Sequence, residues 1–97
     1  MSECYGYAVE KTLMELMASV GERFSESEKV EVEEFIDAGE YGLALDVFMD
    51  IVEEELKKIS LEEIEMAKKA AKEMGIDSGA VENKLLKCTV SDNYPCE

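Results

Sequence analysis

With 24 acidic residues against 10 basic ones and no histidine, this 97-residue chain carries a formal charge of −14. The length holds one domain with one modest core, and 46% hydrophobic beside 35% charged residues describes a folded chain, since a disordered one lacks such apolar content. The charge excludes a grip on nucleic acid, which needs lysines and arginines against phosphates: Arg23 is the only arginine and there is no basic run.

An acidic field of this size favours a basic protein partner and speeds encounter with it, although solubility alone also favours acidic surfaces. Met1 to Tyr7 lacks the basic segment of a secretory leader, and no apolar stretch approaches the roughly 20 residues of a membrane span. A cytoplasmic protein is expected. Cys4, Cys88 and Cys96 are odd in number and without CxxC spacing, so free thiols are expected, with a Cys88 to Cys96 bridge as the alternative.

The first helix is expected from Ala8 to Val20, where Val9, Leu13, Leu16, Met17 and Val20 recur on one stripe, and Gly21 ends it. Ser25 and Glu28 then have capping-box spacing and open a second helix, which turns Val32, Phe35 and Ile36 inward and stops at Gly39. A third helix, from about Glu40 to Lys58, is the most apolar and the central one. Ala44, Phe48, Ile51 and Val52 share a face at 100° per residue, with Leu45 and Leu56 beside them. Asp46, Asp50, Glu53 and Glu54 gather on the opposite arc as an acidic stripe, while Glu55 projects onto the apolar side, so the core must taper there.

Ser60 and Glu63 repeat the capping-box spacing and open a fourth helix, with Ile64, Ala67, Ala71 and Met74 inward, Lys68, Lys69 and Lys72 outward, and Gly75 as its stop. A short fifth helix follows an Asp77 or Ser78 cap, from Ser78 to Lys87, and offers Val81 and Leu85 to the core. The polar segment beyond Cys88, like residues 1–7, is expected to fray. No alternating β-branched run asks for a sheet. The expected fold is all-α, a single-domain antiparallel bundle of four to five helices spanning 1–97, with sequential helices as neighbours.

Little in the chain points to catalysis. Without histidine there is no base for a nucleophilic dyad or triad, no imidazole ligand and no Glu-x-x-His di-iron element. The calcium-loop pattern is absent. Runs such as Glu33-Glu34 and Glu53-Glu54-Glu55 read as solvated helix faces. Asp77-Ser78 is like the prosthetic-group serine of acyl carrier proteins, but Gly79 follows it and only one short helix remains. No enzyme activity, metal or cofactor is therefore expected. Among the methionines Met49 is the one expected at the surface, and Tyr5, Tyr7, Tyr41 and Tyr94 are candidate interface anchors, with Tyr41 equally able to staple a hairpin.

The phrase FIDAGEYGLALDVF, from Phe35 to Phe48, closes one helix and opens the next with almost no loop, and ISLEEIEMAKKAAKEMGID follows from Ile59 to Asp77. Together with a short last helix, these phrases resemble the MafI-like immunity proteins of bacterial polymorphic-toxin and contact-dependent inhibition (CdiI-type) systems. The resemblance runs from about Gly21 to Leu86. It implies a protein that binds and silences the toxin domain encoded beside it, one to one, and many toxins of these systems are nucleases with basic grooves. Helical geometry places the candidate partner-binding residues at Asp46, Asp50, Glu53 and Glu54, with Asp37, Glu40 and Tyr41 at the adjacent hairpin. The alternative is a small acidic adaptor. Gly39 to Ala44 with Phe48 is similar to the hairpin of a tetratricopeptide repeat, and a second copy at Gly75 to Ala80 would put Lys84 where Phe48 sits.

Overall fold

In the computed structural model, which describes the backbone of residues 3–86 and side chains from residue 8 onward, five helices pack around one apolar core. Helix α1 runs Glu3–Val20, a short 3₁₀ turn covers Gly21–Arg23, and α2 (Glu26–Asp37), α3 (Tyr41–Glu54), α4 (Leu61–Met74) and α5 (Ser78–Leu86) follow. No strand occurs among the described residues. The all-α bundle is as the sequence leads one to expect. The expectations for Cys88 and Cys96, for the segment beyond them, and for the side chains of Tyr5, Tyr7 and Tyr94 fall outside what is described.

Both capping boxes form. Ser25 accepts from the Glu28 amide at 3.2 Å while Glu28 accepts from the Ser25 amide at 2.8 Å. Ser60 and Glu63 repeat the exchange at 3.1 and 2.9 Å. Ile59 and Ile64 occupy the two positions of a hydrophobic staple around Ser60, and both are buried. Asp77 caps α5 by accepting from the Gly79 amide at 2.9 Å.

Gly39 and Gly75 end α2 and α4 with the same left-handed turn, at φ 80° and 78°. At the first, the Glu40 amide donates to the Phe35 carbonyl and the Gly39 amide to that of Ile36; at the second, Ile76 donates to Ala71 and Gly75 to Lys72. This paired bonding satisfies carbonyls that a helix end would otherwise leave open.

Helix α3 stops earlier than its periodicity suggests. It ends at Glu54, and the Lys57 amide donates to the Val52 carbonyl at 3.0 Å across a left-handed Leu56, φ 55°. Glu55 still closes the last helical bond onto Ile51 and is exposed, so the core has tapered at that point, and the left-handed Leu56 turns the chain away. Leu56, expected beside the apolar face, is consequently 77% exposed. A second correction concerns Met49, expected at the surface but buried in the core. Phe24 and Ile59, in the short connections just before Ser25 and Ser60, are core residues as well. Phe24 stacks on Phe48 with ring centroids 5.3 Å apart, and the Lys57 ammonium lies 5.7 Å over the Phe24 ring.

The helices form two antiparallel hairpins, α2–α3 and α4–α5, with α1 laid chiefly against α4 rather than against its sequence neighbour α2. Ser19 meets Glu63 at one end of the α1–α4 contact and Thr12 meets Glu73 at the other, so these two helices are antiparallel. Between the hairpins, Gly42 faces Ile76 near the start of α3 and Asp50 meets Lys84 further along, so α3 and α5 run parallel. Principal-axis extents of 45 × 28 × 17 Å fit two layers of helices, whose axes pack about 8–10 Å apart. No helix among the described residues is long and apolar enough to cross a membrane.

Candidate functional site

The outward arc of α3 carries four of the seven candidate residues. Asp46 and Glu54 are exposed, without an ion-pair partner among the described residues. Asp50 and Glu53 instead share one cation. Lys84 of α5 lies 3.2 Å from Asp50 Oδ1 and 3.5 Å from Glu53 Oε1, and hydrogen bonding to Asp50 with the charge of both acids holds its pKa above the usual 10.5 despite partial desolvation. Half of the stripe is thus a tie between α3 and α5, and its free charge lies at Asp46 and Glu54.

Asp37 and Glu40 are exposed at the α2–α3 turn. Tyr41 is half-buried against the core, and its hydroxyl donates to Glu10 Oε1 of α1 at 3.5 Å, a long bond. Desolvation, then the Glu10 charge and that hydrogen bond, push its pKa above 10.0. Tyr41 therefore staples the start of α3 to α1. The hairpin acids and Glu54 stand at opposite ends of α3, roughly 20 Å apart along its axis. They form a face rather than a pocket.

A second acidic face lies on α2 and shares Asp37 with the first. Glu26, Glu31, Glu34 and Asp37 are all exposed on α2 around Val30, which is itself exposed. Its legible signal was the density of acids between Ser25 and Gly39. The one acid of α2 with an ion-pair partner among the described residues is Glu28, 2.9 Å from Lys57. Its pKa is lowered, first by the Ser25 amide and then by Lys57, against a desolvation that raises it.

Among the described residues the most deeply placed carboxylate is Glu63, 2% exposed. Arg23 forks onto it, donating from Nη1 at 3.0 Å and from Nη2, while Ser19 donates from its hydroxyl and Ser60 from its amide. Arg23 gives its remaining donors to the carbonyls of Lys58 at 2.8 Å, Ser19 at 3.0 Å and Val20 at 3.3 Å. Burial raises the Glu63 pKa, but the bonds from Arg23, Ser19 and Ser60 outweigh it and hold the value below 4.5. The cluster joins the end of α1, the α3–α4 connection and the start of α4, and its valences are filled by the chain itself. Among the described residues no buried side-chain oxygen or nitrogen lacks a partner, and no group of three or more acids or cysteines is gathered to hold a metal ion.

Compared with protein-family models, with curated proteins and with solved structures, the chain finds no match in any of the three.

Proposed function

We propose that this chain is a cytoplasmic immunity protein that binds a basic toxin domain one to one and blocks it stoichiometrically. The reading starts from the likeness of Phe35 to Phe48 and the helices around it to MafI-like and contact-dependent inhibition immunity proteins. The observation that carries it furthest is where the charge lies. Arg23, Lys57, Lys68 and Lys84 are each paired with a carboxylate of the chain, and the exposed Lys58, Lys69 and Lys72 are outnumbered by the exposed acids Asp37, Glu40, Asp46 and Glu54 with Glu26, Glu31 and Glu34 of α2. A cationic groove that accepts RNA or DNA meets the opposite sign on such a surface, which can occupy or flank it and exclude the nucleic acid.

The test is co-expression with the toxin domain encoded immediately upstream. Restored host growth and a co-purifying one-to-one complex support the reading; continued killing contradicts it.

One structural observation favours a second reading, that of a small helical adaptor for an ordinary cellular protein. The hairpins repeat the same glycine turn at Gly39 and Gly75, close to the roughly 34-residue tetratricopeptide period, and their second helices run parallel. Two hairpins fall short of the three repeats such a stack needs, and Lys84 stands at the place of Phe48, bonded to acids rather than packed as an aromatic. The adaptor predicts binding to a cellular protein without protection from any toxin.

A further inference from the structure

Leu56 breaks two local rules at once. It holds a left-handed backbone conformation that bulky side chains resist, and it turns 77% of its surface to solvent, the most exposed large apolar residue among those described. A glycine or asparagine would close the same turn without strain, as Gly39 and Gly75 do at the ends of α2 and α4. Five residues on, Leu61 at the start of α4 is 58% exposed. Among the described residues no side chain covers Leu56, while Val52 before it and Ile59 after it are buried in the core.

The neighbouring charges indicate what such a residue would meet. Glu54 and Glu55 are exposed beside it. Lys57 is folded back onto Glu28 and the Phe24 ring and so contributes little outward charge, leaving Lys58 as the exposed base of the corner. A second copy of this chain, with its charge of −14, is a poor occupant by repulsion. A cationic protein surface with an apolar pocket is a good one.

We propose that Leu56 is the apolar anchor of the partner interface, seated in a pocket of the basic toxin domain with Glu54 and Glu55 against the cationic rim. This rests on the immunity reading and locates the centre of its interface at the α3–α4 corner. A few residues that become fully desolvated near the centre of an interface, ringed by contacts that exclude water, carry most of its energy.

The test uses the full chain and the upstream toxin domain as probe, with two variants, and reads melting temperature beside dissociation constant. Leu56→Asn relieves the backbone and removes the apolar group, so melting should rise by a few degrees while binding weakens at least about tenfold. Leu56→Met keeps both the strain and the apolar group and should bind within about threefold of wild type. Wild-type affinity in Leu56→Asn would overturn the anchor while leaving the immunity reading in place. If the wild-type chain itself does not bind the toxin, the immunity reading fails first and the anchor falls with it.

Discussion

Arg23 and Glu63 show at the scale of single residues how a solitary arginine in an acidic chain is used. The guanidinium has filled its donors on one buried carboxylate and three carbonyls, so removing it leaves Glu63 charged, buried and short of two partners. Breaking a buried pair this way costs about 3–5 kcal/mol. Because Arg23 keeps 38% of its side chain in solvent, Arg23→Ala is expected to cost about 2–3 kcal/mol in urea unfolding, and Arg23→Lys to recover only part, since an ammonium cannot fork. The pH dependence has a definite sign. The folded pKa of Glu63 lies below 4.5, so its contribution is complete above about 4.5 and is lost as pH falls through the folded value. Urea midpoints should therefore fall less steeply below pH 4.5 in Glu63→Gln than in wild type; equal slopes would mean the carboxylate is not the linked group. Sequence spacing exposed Glu63 as the third residue of a capping box. Its ion pair was not legible, because Arg23 lies forty positions away in a different connection.

The glycine stops and capping boxes belong to the scale of the element, where local physics was read most directly. A Cβ added at Gly39 meets nothing within 4 Å, so a substitution there is opposed by backbone conformation alone. Gly39→Ala is expected to cost about 1–2 kcal/mol and Gly39→Asn less, whereas equal stability of all three would mean the turn tolerates other geometries. The ends marked by Gly21, Gly39 and Gly75 were correct for the same reason. The end of α3 was not, since no glycine marks it and the apolar period runs on to Leu56. The helix ends in the left-handed turn at Leu56, a conformation that a bulky apolar residue does not announce in the sequence. The burial of Phe24 and Ile59 also escaped, because single apolar residues in short connections carry no periodicity; their place just before Ser25 and Ser60 was the available signal.

Across the whole molecule, side chains that looked equivalent on a helical projection have different duties. Asp46, Asp50, Glu53 and Glu54 share an arc of α3, yet Asp50 and Glu53 hold Lys84 and thereby α5, a pairing between hairpins that a single helix cannot reveal. Reversing all four to lysine would confuse folding with binding. Asp46→Lys with Glu54→Lys should melt near wild type and slow association with the proposed toxin, the difference shrinking as salt screens it. Asp50→Lys with Glu53→Lys should lower the melting temperature by crowding like charges around Lys84. Matching on-rates for wild type and the first pair would move the interface off α3. The proposal as a whole is one of stoichiometric silencing, and its most direct measurement is the catalytic activity of the purified toxin domain titrated with this chain. Activity should fall linearly to near zero at one equivalent and return when the complex is dissociated, whereas full activity at several equivalents, or loss at far less than one, would contradict it.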